Sequence, residues 1–313
     1  MPALLLRFVG VLLLATAIAL ALSQAPDRPL ETLVARWAPP PSDFTEVEGQ
    51  FVHYRDEGPR ADATPLVLLH GLASSLHTWE GWVARLKQSH RVITLDLPGC
   101  GLSGPNPRGD YRDAADARFV LALLDHLGVR RFEIGGNSLG GEIAWHIALL
   151  APQRVARLVL VDSAGLPFEG RGVALAWGLA RIPGIGLLFD QALPRPLVEQ
   201  ALRSVYGHPE RVTRELVDRY DELLLREGNR RALIERLRQH REGADAAQVA
   251  TLNLPTLILW GGRDTLIPPA VGRRFQAAIA GSRLVVFDDL GHVPQEEDPG
   301  RTVAPVLAFL DGR

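Results

Sequence analysis

Short apolar runs alternate with amphipathic stretches through the middle of the chain. The runs PLVLLHG (65–71), RVITLDLPG (91–99), RFEIGG (131–136) and RLVLVDSAG (157–165) are rich in Val, Leu and Ile and end at glycines. That length and composition are typical of buried strands. Between them lie segments whose apolar residues recur at helical spacing. Strands that alternate with helices predict a parallel sheet with helices on both faces.

The alternation stops after residue 165 and resumes later. From 166 to 250 the pattern is helical, with arginines and acidic residues interleaved on what we interpret as solvated faces. Strand patterns return at LPTLILWGG (254–262) and RLVVFDD (283–289). We therefore predict an α/β fold in which a mostly parallel central sheet is flanked by helices and interrupted by a helical cap insertion. The pattern at 44–58 also predicts a hairpin around Gly49, ahead of the first parallel strand.

The N-terminus carries the longest apolar segment. Residues 3–22 (ALLLRFVGVLLLATAIALAL) are apolar except for Arg7 and Thr16. About 20 apolar residues cross a bilayer as a helix, so we predict an uncleaved membrane anchor. The alternative is a signal peptide cleaved at Ala21-Leu22-Ser23, which would give a secreted protein. The position of Arg7 favours a cytoplasmic N-terminus, with the catalytic domain exported to the periplasm or the cell exterior.

Several prolines follow this segment and suggest a tether of partly extended character. The predicted organisation is a hydrophobic anchor or signal at 1–25, a Pro-rich tether at 26–43, an α/β core at 44–165 and 251–313, and a helical cap at 166–250.

Composition and charge exclude several classes of function. The 313 residues include 34 basic and 36 acidic side chains, for a formal net charge of −2. No basic field is present to attract nucleic acid, so we expect no nucleic-acid partner. The single cysteine, Cys100, rules out an internal disulfide, and no Cys or His spacing of a metal site occurs. We expect neither a metal nor a cofactor, and nothing in the sequence indicates the oligomeric state.

The stretch GGNSLGG (135–141) places Ser138 between a predicted strand and a predicted helix. A sharp strand-to-helix turn forces its central residue into a strained backbone conformation and lifts the hydroxyl above the sheet. Side chains two positions before and after would collide there, which explains Gly136 and Gly140. The alternative is a glycine-rich turn in which Ser138 only caps the helix. We predict that Ser138 is a nucleophile.

A serine nucleophile needs a base, and the base needs an acid to orient it. Among nine histidines only His292, in DDLGHVPQEED, follows a strand and a turn at the end of the sheet. Asp264, in the loop after the preceding strand, is the predicted acid, and Asp162 is the alternative. Asp288 and Asp289 stand too close in sequence to His292 to orient it.

An oxyanion hole requires two backbone N–H groups aimed at the developing charge. We predict the amides of Leu139, which follows the serine, and of Leu72, in the loop after PLVLLHG. His70 is then expected to organise that loop, and Asp96 to tie the turn DLPGCGLS by hydrogen bonds.

The order Ser138, Asp264, His292, with His70-Gly71 upstream and DLPGCGLSG between, resembles the α/β-hydrolase superfamily over residues 44–313. The helical insertion resembles that family's cap, and the chain is similar to capped carboxylesterases and lipases and to meta-cleavage-product C–C hydrolases. Haloalkane dehalogenases and epoxide hydrolases carry aspartate at the nucleophile position, so Ser138 argues against both. Cys100 stands where relatives often carry a histidine or an aromatic residue. We interpret it as a small buried residue and not as a reactive thiol.

The substrate is the least determined feature. GVALAWGLARIPGIGLLF (172–189) opens the cap almost without charge, and either lines an acyl pocket, packs on the sheet or contacts a bilayer. We expect a small-molecule carboxylic ester with an apolar acyl group. The alternative is C–C hydrolysis of a vinylogous diketone acid, whose carboxylate needs a basic group such as Arg181. A non-catalytic binding protein on this fold is a third hypothesis.

Overall fold

The computed structural model describes residues 24–168, 193–241 and 243–312, together with residues 7, 8, 10, 11, 14, 178, 180–182, 184, 186 and 189. Its centre is an eight-stranded sheet in the order β1-β2-β4-β3-β5-β6-β7-β8. The strands are β1 (Ser42–Val47), β2 (Gln50–Glu57), β3 (Leu66–Leu69), β4 (Val92–Leu95), β5 (Phe132–Asn137), β6 (Val155–Val161), β7 (Thr256–Gly261) and β8 (Arg283–Phe287). Strand β2 is antiparallel to β1 and β4, and all other neighbours are parallel. The predicted α/β fold with a mostly parallel sheet is confirmed.

Helices cover both faces of the sheet, which explains why its central strands are continuously apolar. On β6, Leu158 and Leu160 enter one apolar layer, whereas Val159 and Val161 enter the other. The α-helices in the described residues are α1 (Leu30–Trp37), α2 (Glu80–Leu86), α3 (Asp113–His126), α4 (Leu139–Leu150), α5 (Arg195–Val205), α6 (Arg214–Leu224), α7 (Asn229–Gln239), α8 (Pro269–Ala278), α9 (Pro294–Glu297) and α10 (Pro299–Leu310).

The predicted cap contributes helices α5, α6 and α7 to the described part of the chain, and its boundaries at 166 and 250 stay a prediction. Most of the apolar stretch 172–189 lies outside the described residues, so its three possible roles are not distinguished. Helix α7 is fastened to the core by a buried ion pair between Arg236 and Asp116. Arg236 also donates to the carbonyl oxygen of Pro98 at 2.9 Å.

Helix α1 lies where the sequence suggests a partly extended tether. Its buried residues Leu33 and Trp37 pack with Leu102 of the core and Leu223 of α6. Trp37 donates its indole N–H to a carboxylate oxygen of Glu222 on α6 at 2.7 Å. The segment therefore bridges the core and the predicted cap, since it contacts both.

The predicted membrane anchor and the export that follows from it are not supported. Most of residues 3–22 lie outside the described residues. Within the residues that the structure does describe, none of the helices combines the length and the apolar character that crossing a bilayer requires. The predicted membrane-anchored localisation, and the membrane as a partner, are therefore wrong on this finding.

Candidate active site

Ser138 stands at the turn from β5 into α4, with a left-handed backbone (φ 55°, ψ −119°). The turn is tight enough that glycine is required on both sides of the serine. A Cβ atom on Gly136 would lie 2.2 Å from the backbone of Gly140, and one on Gly140 would lie 2.2 Å from the carbonyl oxygen of Leu69. Real Cβ atoms do not approach backbone that closely, so the glycine pattern reports a steric constraint.

His292 and Asp264 meet at the carboxyl ends of β7 and β8. Nδ1 of His292 lies 2.7 Å from Oδ2 of Asp264, and both side chains are buried. The other carboxylate oxygen, Oδ1, accepts N–H bonds from Leu266 at 2.8 Å and Ile267 at 2.9 Å. These bonds fix the carboxylate, and the carboxylate orients the imidazole through Nδ1, which leaves Nε2 without a hydrogen-bond partner among the described residues.

The loop that carries His292, residues 288–293, is held by contacts that the sequence did not indicate. The His292 amide donates to the carbonyl of Val205 at 2.7 Å. Its carbonyl accepts from the side-chain amide of Asn137 at 2.9 Å, and Asn137 also donates to the carbonyl of Val161 at 3.2 Å. Because Asn137 precedes Ser138, one residue connects the serine turn with this histidine loop.

Glu297 holds the same loop from the other side. Its buried carboxylate accepts backbone N–H bonds from Gly291 at 2.9 Å, Gly207 at 3.0 Å and His208 at 2.7 Å. Three backbone donors satisfy a carboxylate that would otherwise be costly to bury. The sequence shows an acidic run after His292, but this run does not indicate which backbone groups Glu297 binds.

Ser138 and His292 are positioned by common contacts but are not bonded to each other. Among the hydrogen bonds between described residues, none joins the Ser138 hydroxyl to the imidazole. In unliganded active sites such bonds are often long and form only with substrate. The loop after β3 also reaches the serine turn, since a Cβ on Gly71 would lie 3.3 Å from Cβ of Ser138.

The two amides predicted as an oxyanion hole are available for an external acceptor. Leu139 is the first residue of α4, so its N–H has no partner inside the helix. In the described part of the chain no acceptor bonds the amide of either Leu139 or Leu72. Leu139 is buried, whereas Leu72 is 38% exposed.

Backbone strain concentrates at this edge of the sheet. Of four non-glycine residues with positive φ in the described residues, three follow adjacent strands: Ala73 (55°) after β3, Ser138 (55°) after β5 and Asp162 (44°) after β6. Such conformations cost free energy and persist where the surrounding structure enforces them. Their clustering supports the carboxyl edge around Ser138 as the candidate functional region.

His70 and Asp96 organise the neighbouring loops, as predicted. His70 is buried; Nδ1 donates to the carbonyl of Gly71 at 2.7 Å and Nε2 accepts from the amide of Leu97 at 3.0 Å. Burial lowers the pKa of His70, which favours its neutral ring. Asp96 accepts the amides of Leu76 and Leu102, each at 2.7 Å. Neither side chain is free to act on substrate.

The other residues considered from the sequence differ in burial and in their partners. Burial raises the pKa of the Cys100 thiol to about 11, so it stays a neutral buried side chain. Arg181 is exposed. Asp289 is engaged by the guanidinium of Arg301, with two contacts of 3.0 Å. Asp162, the alternative acid, lies close to Asp264 and His292.

Comparison with known proteins agrees with this geometry. The family model of the alpha/beta hydrolase fold matches residues 64–299. A dihydrolipoyllysine-residue acetyltransferase component of an acetoin cleaving system from Pseudomonas putida is 32% identical, over 87% of this chain and 70% of that protein. A 2-hydroxy-6-oxononadienedioate/2-hydroxy-6-oxononatrienedioate hydrolase from Pseudomonas putida is 32% identical, over 83% of this chain and 91% of its own. The crystal structure of a membrane phospholipase A, a bacterial virulence factor, matches with a TM-score of 0.75 at 25% identity, over 100% of this chain and 99% of that one.

Proposed function

The chain belongs to the alpha/beta hydrolase family, and within it we propose a serine hydrolase that cleaves carboxylic esters with an apolar acyl group through an acyl-enzyme. One observation carries the proposal: a strained serine follows Asn137, and Asn137 binds the backbone of a buried histidine whose Nδ1 is held at 2.7 Å by a carboxylate. This is the combination that activates a hydroxyl near neutral pH.

The proposed mechanism assigns one role to each group. The Ser138 hydroxyl attacks the carbonyl carbon while Nε2 of His292 takes the hydroxyl proton. Asp264 stabilises the imidazolium, and the amides of Leu72 and Leu139 donate to the oxyanion. The imidazolium then returns the proton to the departing alkoxide. Water then attacks the acyl carbon as His292 takes a proton from it, and the imidazolium returns that proton to the Ser138 oxygen as the acid departs.

The described surroundings of the oxyanion amides favour an apolar substrate. A small cavity beside Leu72 has apolar residues of the predicted cap in its wall, among them Leu223, Leu224 and Leu233. The similarity to a phospholipase A over the whole chain also supports ester hydrolysis. Apolar side chains next to Leu72 favour a hydrocarbon acyl group over a charged one, because a hydrocarbon would bury apolar surface against them.

C–C hydrolysis is the second candidate, because one relative at 32% identity is a 2-hydroxy-6-oxo-dienedioate hydrolase. That substrate carries carboxylates and needs a free cation near the serine. Arg181 is exposed, and Arg236, which lines the cavity beside Leu72, is paired with the buried Asp116. The pairing of Arg236 favours the ester among the described residues, whereas the exposure of Arg181 does not separate the two candidates.

The test uses the full-length protein with p-nitrophenyl esters graded from acetyl to palmitoyl, and a 2-hydroxy-6-oxo-dienoate as the C–C substrate. We expect ester hydrolysis with an optimum above acetyl, abolished in Ser138→Ala. Ser204→Ala, at an exposed helical serine bonded to the carbonyl of Ala201, is the matched control and should hydrolyse like the parent.

Two results would contradict the proposal. Ester hydrolysis that survives in Ser138→Ala would exclude the serine as nucleophile. A folded parent protein that cleaves the dienoate and none of the esters would favour the C–C hydrolase. If it cleaves neither class, the non-catalytic binding protein gains support.

A further inference from the structure

Asp162, the alternative candidate for the acid, lies next to Asp264 and has no role in the proposed mechanism. It follows β6 directly, its side chain is fully buried, and its backbone is left-handed with φ 44°. An aspartate in this conformation costs free energy that a glycine would avoid. The fold therefore keeps a carboxyl group at this position although its backbone conformation is unfavourable.

The two oxygens of Asp162 have different surroundings. Oδ1 accepts the amide N–H of Gly261, at the end of β7, at 2.8 Å. Oδ2 is buried, and no N–H or O–H donor among the described residues reaches it. One oxygen of Asp162, one oxygen of Asp264 and one ring nitrogen of His292 lie within 4.8 Å of one another.

Two buried carboxyl groups at this separation do not both ionise. Asp264 accepts three donors, from Leu266, Ile267 and His292, whereas Asp162 accepts one. Hydrogen bonds to an ionised carboxylate stabilise it, so the negative charge belongs on Asp264 and the proton on Asp162.

The charges that face Asp162 act in the same direction. Burial raises the pKa of Asp162 well above its ordinary value, and the negative charge of Asp264 raises it further. The bond from Gly261 opposes this shift, and Glu297, on α9, adds to it. The titratable groups around Asp162 are thus Asp264 after β7, His292 after β8 and Glu297.

We propose that Asp162 is a neutral carboxylic acid whose O–H donates to the carboxylate of Asp264, so that it positions the acid of the triad and adds no second charge. The proposal rests on the proposed function for its catalytic meaning, but the location of the proton can be measured without substrate. Asp162 is a positioning residue here, because it acts through Asp264.

Infrared difference spectroscopy tests the proton directly. At pH 8 the full-length parent minus Asp162→Asn should show the C=O stretch of a protonated carboxyl group, shifted in D2O. Asp288→Asn, at an exposed carboxylate of the histidine loop, is the control and should give no such band. Absence of the band from the first difference spectrum would overturn the proposal, whatever the enzymatic activity.

The pH dependence of kcat/KM tests the positioning role. Asn can still donate to Asp264 and accept from Gly261, so Asp162→Asn should keep the acid limb of the profile in place. If Asp162 were ionised, the same substitution would remove a negative charge beside His292 and lower that limb by about one unit or more. That shift would contradict the proposal.

Asp162→Ala removes the donor to Asp264. It should lower kcat by about tenfold, the usual scale for one buried hydrogen bond, and change KM little. A folded Asp162→Ala protein with the same kcat and KM as the parent would refute the positioning role. If this variant does not fold, the infrared band and the Asp162→Asn profile decide. Failure of Ser138→Ala to abolish hydrolysis would refute the proposed function while leaving the infrared result intact.

Discussion

The side-chain amide of Asn137 donates a hydrogen bond of 2.9 Å to the carbonyl oxygen of His292, across 155 positions of the sequence. The same amide group also donates to Val161, the last residue of β6. The residue before the proposed nucleophile thereby sets the position of the loop that carries the proposed base. The proposed nucleophile and the proposed base are thus connected through the Asn137 side chain and the His292 backbone, independently of any bond between their own side chains.

Asn137→Asp keeps the shape of this side chain but removes both N–H donors and places a carboxylate against two carbonyl oxygens. We expect kcat on the best ester to fall by about 100-fold, since a small displacement of a catalytic group is that costly. Steady-state kinetics and thermal unfolding would be measured together. Asn106→Asp, in the loop between β4 and α3 where the side-chain oxygen accepts the amide of Arg108, is the control. Unchanged kcat in a folded Asn137→Asp protein would show that the bond does not position His292.

Gly140→Ala tests the steric account of the serine turn. Its Cβ would lie 2.2 Å from the carbonyl oxygen of Leu69 and 2.6 Å from that of His70, and both are backbone atoms. We expect a loss of about 3 kcal/mol or more in the free energy of unfolding, together with loss of activity. Gly300→Ala meets only ordinary contacts, at 3.6 Å and 3.8 Å, and should be neutral or stabilising by up to about 1 kcal/mol. Equal urea midpoints for the two variants would contradict this explanation.

The free energy of unfolding should decrease at acidic pH because of His77. Its Nε2 lies 2.7 Å from the carbonyl of Trp37 and its Nδ1 lies 3.0 Å from the hydroxyl of Ser75, which suits a neutral ring. Burial lowers the pKa of His77 from 6.5 to about 4. The unfolded chain therefore binds more protons than the folded one between these values. Stability is full above pH 6.5 and falls by about 3 kcal/mol as the pH drops to 4.

Urea unfolding of the parent and of His77→Gln at pH 7 and pH 4 measures this contribution. The variant should be less stable at pH 7 and lose less between the two values. His70, whose pKa burial also lowers, keeps part of the acid dependence in both proteins. His126→Gln, at a histidine bonded to the hydroxyl of Thr45, serves as the surface control. An identical loss in the parent and His77→Gln would argue against this assignment.

Arg236→Met tests the attachment of α7 to the core. It leaves the carboxyl of Asp116 buried without its cation, which typically costs about 3–5 kcal/mol. The cost should shrink as the pH falls, because burial raises the pKa of Asp116 and its protonation removes the unpaired charge. The double variant Arg236→Met/Asp116→Leu should recover most of the loss. Arg112→Met, at an exposed pair with Asp110, should leave stability nearly unchanged. A larger loss in the double variant than in Arg236→Met would refute the buried-charge explanation.

The sheet was predictable because its signals are local. Runs such as Leu66–Leu69 are buried on both faces and therefore apolar at every position. Ser138 was recognisable because its steric constraint leaves glycines at fixed offsets. His292 and Asp264 followed from their places after the last strands, and their contact is now observed, whereas their catalytic roles stay predictions until the serine variant is assayed.

Helix α1 was missed although its spacing was present. Leu30, Leu33, Val34 and Trp37 recur at positions i, i+3, i+4 and i+7, as on one face of a helix. The prolines of this segment flank the helix and do not interrupt it, and Pro29 immediately precedes its first residue. Proline content alone suggested extended chain. The contacts of Asn137 and Glu297 could not be predicted, because both join segments far apart in sequence.

The close backbone packing at Gly291 and Gly207 limits how much of the predicted cap can be exchanged between related enzymes. A Cβ on Gly291 would lie 2.3 Å from the carbonyl of Val205, and one on Gly207 would lie 2.3 Å from the carbonyl of Asp289. A cap exchanged as one block between relatives would replace Val205 and Gly207 while keeping the histidine loop that fits them. A chimera that keeps the host's own residues from α5 to 208, and replaces only the later helices, should leave His292 in its original position. We therefore expect two parts within the predicted cap: later helices that can be exchanged, and a first part, through residue 208, that must stay with the loop of His292.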